Sequence, residues 1–386
     1  MKNTRLGLFA LAMGTFALGI AEFSMMGILS DVSKEMDISV DRAGHLISAY
    51  SLGVAVGAPL LLFLRKLPLR TVLLVLAAVI ALGNTCAALS PGYTVLLISR
   101  FISGLPHGAF FGAGAIVCAR LADPGKGAAA VAVMVGGMTF ANVIGVPAAT
   151  YVSNAFIWRL TFAIVAFFGV TSFLCLKFMV PYLPPLPDTG LKGQFRFLKS
   201  SAPWLIYGGV FFGQAAVYCW LSYISPIMTE LTGFSLSDMT WIMVLVGAGM
   251  VTGNFLAGKC ATMVSPSLVS AAIAGMMIIV LPLIYLCSDM KTVSLLLAFV
   301  ASACLFGIGG PPQFMIVGFS KGGQMLGGAG IQIAFNVSNA CSAAIGGAAI
   351  HHGFGYDSTT LIGIPFAAVG LTCFLMLYRK YKGQGA

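Results

Sequence analysis

The chain has 386 residues, of which 59% are hydrophobic and only 8% charged, and its formal net charge is +10. A soluble domain carries about 25% charged residues, so the composition excludes a soluble enzyme and a basic nucleic-acid-binding domain. The excess of cations instead suits the anionic inner leaflet of a membrane.

Twelve apolar stretches reach spanning length, and a membrane helix needs about 20 such residues. They are 6–28, 42–63, 70–89, 94–119, 127–150, 159–180, 203–229, 239–258, 267–287, 292–317, 325–350 and 361–379. Their long, unbroken runs predict helices rather than the alternating strands of a membrane barrel. The first run continues too far for a cleaved signal peptide, and Lys2 and Arg5 read as cytoplasmic anchors. With both termini inside, 16 Lys and Arg residues fall in cytoplasmic segments and 4 (Lys34, Arg42, Arg159 and Lys291) in external ones, with Arg100 completing the 21. That asymmetry sets the expected orientation. The nine cysteines, Cys86, Cys118, Cys175, Cys219, Cys260, Cys287, Cys304, Cys341 and Cys373, are scattered mostly through apolar runs without a CxxC pair. They read as small buried hydrophobes; no disulfide, metal site or cofactor is expected.

In chain order, the first helix carries Glu22, the only acidic residue well inside an apolar run. The acidic loop after it (Asp31, Glu35, Asp37, Asp41) reads as a solvated face. Helix two presents Gly53 and Gly57 as a packing face, with His45 at its external start. The fourth helix holds Arg100 and His107 among Gly104, Gly108 and Gly112, whose spacing of four lines one face for close helix approach. A cation there is costly in lipid and marks a functional position by default. Glu22 and Arg100 each lie about 6 residues from the outer ends of antiparallel helices, hence ~9 Å below the outer edge, so they can pair if the helices are neighbours. His107 can join a proton relay or serve as a hydrogen-bonded packing residue.

Helix five frames Asn142 with Gly136, Gly137, Gly145 and Pro147, and Pro147 loosens its outer end. Residues 181–202, with Pro181, Pro184, Pro185 and Pro187, separate the halves. Leu191, Phe195 and Leu198 form one face and Lys192, Arg196 and Lys199 another, which suits either a short amphipathic helix on the inner leaflet or a plain basic tether. Helix seven supplies Gln214, Tyr218 and Trp220. Helix eleven supplies Gln332, Asn336 and Asn339, spaced i, i+4, i+7 on one face. Amides with aromatic rings suit a neutral, hydroxyl-rich ligand, the other reading being interhelical glue. Gly307, Gly309, Gly310, Pro311 and Pro312 break helix ten, and the His351-His352 pair is not a metal site by spacing alone.

A weak repeat relates the halves. Gly14 and Gly19 match Gly208 and Gly213 at an offset of 194, and Gly53 and Gly57 match Gly249 and Gly253 at 196. Lys126-Gly127 matches Lys321-Gly322 at 195, and Gly136 and Asn142 match Gly330 and Asn336 at 194. The expected fold is therefore an all-α membrane protein of twelve transmembrane helices in two pseudo-symmetric six-helix bundles. Residues 1–180 and 203–386 form the bundles, and 181–202 form a cytoplasmic linker.

At this point the residues resemble the major facilitator superfamily. Leu96 to Gly104, reading L-x-x-x-R-x-x-S-G, is similar to its fourth-helix motif, whose arginine is linked to proton coupling in many members; Arg100 holds that position. Gly145-Val146-Pro147 looks like a degraded antiporter motif, with Val146 intervening between the usual Gly and Pro. Gly57 and Arg65-Lys66 match the motif between helices two and three, which here lacks its Asp. Glu22-Phe23, Pro106–Gly112 (PHGAFFG), Ala202–Ile206 and Gln332–Asn336 resemble the sugar-efflux members of the drug:proton antiporter-like branch. The resemblance implies a monomeric, bacterial inner-membrane exporter of small molecules such as an arabinose-like sugar. Glu22, Arg100 and His107 would couple protons. Asn142, Gln214, Tyr218, Trp220, Gln332, Asn336 and Asn339 would bind substrate between the halves. The competing readings are an uncoupled facilitator or symporter and, from another class, a sensor or scaffold without turnover.

Overall fold

The computed structural model describes residues 2–64, 66–123, 127–185, 195–320 and 324–382. Apolar runs in a bilayer satisfy their backbone groups internally as helices, and the described residues contain helices and turns and no strand. The first six spans are α1 (Lys2–Gly27), α2 (Val40–Leu64), α3 (Leu69–Ala88), α4 (Tyr93–Leu121), α5 (Gly127–Phe140, continued as Val146–Ala155) and α6 (Arg159–Met179). The second six are α7 (Ser201–Leu221), α8 (Met239–Met263), α9 (Pro266–Leu286), α10 (Lys291–Phe319), α11 (Gln324–His351) and α12 (Ser358–Tyr381). Among the described residues eleven helices are long and apolar enough to cross a membrane, and α2 is itself 25 residues long.

The breaks fall where backbone chemistry demands them. Pro106 lacks an N–H, and α4 is interrupted at Leu105 just before it. Inside α10, residues Ile308 and Gly309 separate Lys291–Gly307 from Gly310–Phe319, as the Gly-Gly-Pro-Pro run predicts. In α5 a π-helical turn, Ala141–Gly145, carries Asn142 and ends two residues before Pro147. The seventh span is shorter than expected: α7 ends at Leu221, and the chain then turns through Ile224–Pro226 and a π turn, Ile227–Leu231. Much of the linker lies outside the described residues, including Leu191 and Lys192. What is described is a single 3-10 turn, Arg196–Lys199, that buries Phe197 while Phe195 is exposed. The buried residue is therefore one that the expected apolar face left out.

Helix neighbours repeat across the chain. α1 packs on α5 and α6 as α7 packs on α11 and α12; α2 packs on α4 as α8 packs on α10; α3 packs on α6 as α9 packs on α12. The glycines explain one of these pairs closely. A side chain at Gly57 would collide with the carbonyl oxygen of Leu105, and one at Gly253 with that of Ala303. Both backbones approach so closely only because no Cβ intervenes.

Three apolar cores order the molecule. One is built from residues of α1–α6 and another from residues of the 197–381 region, and both lie toward the end that carries the chain termini. The third joins the two sets of helices at the opposite end, with Phe23, Leu46 and Trp158 packed among Trp220, Tyr223 and Met243. Two seams cross there: α2 against α11, and α5 against α8. Ser48 donates to the Ala340 carbonyl at 2.9 Å, Ser225 to Ser30 at 3.0 Å and Asn154 to the Leu236 carbonyl at 2.5 Å, while Asp41 meets His351 at 3.2 Å.

Adding a methyl group where backbones touch costs about 1–3 kcal/mol. Gly57→Ala and Gly253→Ala will each destabilise the purified protein by about that amount in thermal unfolding. Gly136→Ala, which meets nothing within 4 Å, will not.

Candidate functional site

Arg100 is fully buried in α4 and is held by backbone and rings rather than by a carboxylate, with its Nη2 left without a hydrogen-bond partner. Its Nη1 donates to the Ala21 carbonyl at 2.8 Å and its Nε to the Leu46 carbonyl at 3.4 Å. The guanidinium carbon lies 4.4 Å from the centre of the Tyr50 ring and 5.5 Å from that of Phe162. Stacking on aromatic faces is favourable for a desolvated cation. One side chain thus ties α4 to α1, α2 and α6. The equal depth inferred for Glu22 and Arg100 is met, because Ala21 precedes Glu22. A direct ion pair is not: among the described residues no Arg100 nitrogen lies within 4.0 Å of the Glu22 carboxylate. The two remain within electrostatic range. The reason is geometric, since the guanidinium is drawn to the carbonyls of the α1 and α2 backbones.

The nearer partner of Glu22 is His107, whose Nε2 lies 3.8 Å from Glu22 Oε2. His107 Nδ1 lies 2.9 Å from the Tyr50 hydroxyl, and its ring stacks on Phe111 at 5.3 Å. The Tyr50 hydroxyl also lies 3.5 Å from the Leu18 carbonyl. When it donates to Nδ1, a neutral imidazole carries its proton on Nε2, facing Glu22; when it donates to Leu18, the imidazole donates from Nδ1 and Nε2 is the acceptor. Tyr50 was not singled out from the sequence, although it also lies beneath Arg100. Its signal was the S-A-Y-S-L-G-V context, three residues before Gly53, on a helix read only for packing.

The expected ligand-binding residues are buried and polar but do not form one hydrogen-bonded cluster. Gln214 donates to the Leu305 carbonyl at 2.8 Å, tying α7 to α10. Tyr218 meets Phe335 edge-on at 5.5 Å, which brings α7 against the face of α11 that bears Gln332, Asn336 and Asn339. Asn336 donates to the Gln332 carbonyl at 3.0 Å, and Gln332 itself is half-buried. Asn142 lies on the other seam, where its carbonyl is covered by Gly247 of α8. Trp220 is within the shared core. What these residues have in common is unspent hydrogen-bonding capacity. Both oxygens of Glu22, both amide atoms of Asn142, Gln214 Oε1, Tyr218 OH, Trp220 Nε1, Asn336 Oδ1 and Asn339 Oδ1 are buried without a partner in the protein. Each such atom costs about 1–3 kcal/mol unless something else satisfies it. Ser24, Ser51 and Ser338 share this state and stand beside Glu22, Tyr50 and Asn339. Sequence reasoning missed them because a serine in an apolar helix usually bonds to its own backbone.

Buried charge and unpaired amides inside an all-helical, membrane-spanning chain are the features of a membrane transporter, and the comparisons with known proteins give that class. The chain belongs to the Major Facilitator Superfamily, whose family model matches residues 11–327. It is 44% identical to AraJ of Escherichia coli (strain K12) over 98% of this chain and 96% of that protein. It is 35% identical to the inner membrane transport protein YdhP of the same strain over 97% and 96% of the two chains. Among solved structures, a bacterial homologue of the human lysosomal transporter Spinster, in an inward-facing and unoccupied conformation, superposes with a TM-score of 0.77. It covers 100% of this chain and 98% of its own at 13% identity. A D-xylose–proton symporter superposes with a TM-score of 0.74 at 15% identity, covering 97% and 96%. At those identities the likeness is one of fold.

Arg100→Lys keeps the charge but loses the fork of donors and the planar stacking. Thermal unfolding in detergent should show a destabilisation of about 1–3 kcal/mol, the scale of a lost charged hydrogen bond. An unchanged melting temperature would show that the carbonyl clamp contributes little.

Proposed function

We propose that this transporter is a proton-coupled exporter of a small, hydroxyl-rich molecule such as a sugar, working by alternating access in the bacterial inner membrane with both termini cytoplasmic. The observation that carries the reading is Glu22. It is 1% exposed, sits on α1 beside the shared core and has no hydrogen-bond partner in the protein. It also stands within electrostatic range of Tyr218 on α7. A carboxyl group so placed exchanges its proton only when a path to one side opens, and its neutral form crosses the closed state at lower cost. His107 supports the exchange from 3.8 Å: with Nε2 free of hydrogen it accepts a proton from Glu22, and as the imidazolium it returns one. Arg100 holds the α1 backbone at Ala21 and favours the ionised form when the site is wet.

Residues 1–180 and 203–386 are proposed to rock as two units about this centre, with Asn142, Gln214, Tyr218, Trp220, Gln332, Asn336 and Asn339 as the ligand-facing set. With the termini inside, the seams at the far end close the external side, and the end that carries the two separate cores is the one that opens to the cytoplasm. The sequence resemblance to the drug:proton antiporter-like branch supports efflux, although Val146 interrupts the antiporter motif, and a relative described as an inner membrane transport protein supports the location.

The test is reconstitution into liposomes with an imposed pH gradient, a panel of pentoses, hexoses and thiogalactosides, and a reporter of internal pH. Substrate-dependent proton movement should appear in the wild type, opposite in direction to substrate, and vanish in Glu22→Gln. Proton and substrate moving together would establish symport, and flux without proton movement would establish facilitation; either would overturn the antiport reading. Tyr50→Phe removes the hydroxyl's contacts with His107 at 2.9 Å and the Leu18 carbonyl at 3.5 Å, of which the shorter, neutral one is worth about 1 kcal/mol. Its coupled flux should fall several-fold, with a shifted pH profile and an unchanged melting temperature within about 1 kcal/mol.

A further inference from the structure

A concavity lies away from this centre, between the start of α7 and the end of α12. It encloses about 400 Å³ and is lined by Ser201, Leu205, Met376, Arg379 and Lys380. We propose that it binds the headgroup and first methylenes of an anionic phospholipid from the leaflet facing the chain termini.

The spacing of the lining residues supplies the shape. Ser201 and Leu205 are four residues apart on α7, and Met376 and Lys380 are four apart on α12. Two helical ladders therefore face each other with a polar rung at the rim and an apolar rung about 6 Å deeper, at 1.5 Å per residue. A free phosphate would use only the polar rung. A phospholipid uses both, because its charged group continues into hydrocarbon.

Charge supplies the ligand's sign. In residues 195–386 the acidic side chains are Glu230, Asp238, Asp289 and Asp357, and all stand in or beside the turns at the far end. Among the described residues no carboxylate lies within 4.0 Å of Arg379 or Lys380 at the termini end. Lys380 Nζ is instead steered across the cavity mouth by a hydrogen bond to Ser201 Oγ at 2.7 Å. The same Ser201 Oγ lies 2.7 Å from the Tyr381 hydroxyl, which fixes the serine in place. Trp204 is 59% exposed one turn along α7, with its indole N–H donating to the Leu198 carbonyl at 2.8 Å. That is the posture of an aromatic ring at the headgroup level of a bilayer. Basic pockets between spanning helices recognise acidic headgroups in this way.

The experiment is native mass spectrometry of the full chain released from detergent, titrated with phosphatidylglycerol, phosphatidylcholine or inorganic phosphate. Phosphatidylglycerol should bind in preference to phosphatidylcholine. Two juxtamembrane cations contribute about fivefold each, so Arg379→Gln/Lys380→Gln should weaken it ~30-fold. Lys199→Gln, which removes a neighbouring cation outside the cavity, should leave it unchanged. Leu205→Ser/Met376→Ser should weaken the lipid while leaving any phosphate binding intact. Equal binding of the two lipids, or no loss in the Arg379/Lys380 variant, would overturn the proposal. Inorganic phosphate binding as tightly as phosphatidylglycerol would replace it with a free-anion site. Melting temperatures of all variants within a degree or two of wild type would show that the losses are local.

Discussion

A cation buried in a helical membrane protein has to be answered by something, and the answer given to Arg100 shapes the first half of this molecule. Its guanidinium spans two backbones, donating to carbonyls on α1 and α2, and is covered by the rings of Tyr50 and Phe162. Removing a guanidinium from water is affordable only when donors and faces are met together. The clamp fixes where Glu22 stands, because the carbonyl it holds belongs to the preceding residue. The arginine therefore acts on the carboxylate through position and field rather than through contact, and His107 is left as the group that faces it.

The second constraint is the close approach of backbones. Gly57 against Leu105 and Gly253 against Ala303 are equivalent contacts in the two halves, and each allows a helix pair to slide in as a rigid unit. The seams that join the halves are packed as closely, with the Gly247 backbone against the Asn142 carbonyl and α2 laid along α11, but they gather with the shared apolar core at one end. Separate cores at one end, and a shared core with polar contacts such as Ser48 to Ala340 and Asp41 to His351 at the other, is a layout in which two units can hinge.

Much of this was legible in the sequence because bilayers leave few choices. Run lengths gave the spans, Pro106 and the Gly309–Pro312 run gave the breaks, and the recurring glycines gave both the packing faces and the repeat. The depth of Glu22 and Arg100 followed from counting residues. The failures have one physical source, since a helix can be counted but its rotation cannot. Whether Arg100 points at a carboxylate or at the carbonyl one residue earlier depends on about a hundred degrees of turn, as does Tyr50's place between His107 and Arg100. The π turn at Asn142 is likewise invisible to a 3.6-residue period; only Pro147 hinted that the hydrogen-bond ladder must slip nearby. In the linker, Phe197 is buried where counting placed Phe195 and Leu198, because the chain there makes a single 3-10 turn.

The central claim is that the buried centre is reached from each side of the membrane in turn. The most direct measurement places a single cysteine at position 336, in a background without the nine native cysteines, and labels it with an impermeant maleimide from either face of oriented vesicles. The account predicts labelling from both faces, and loss of labelling from the far face alone when positions 48 and 340 are cross-linked across the α2–α11 seam. Labelling from one face only, indifferent to the cross-link, would contradict alternating access in this protein.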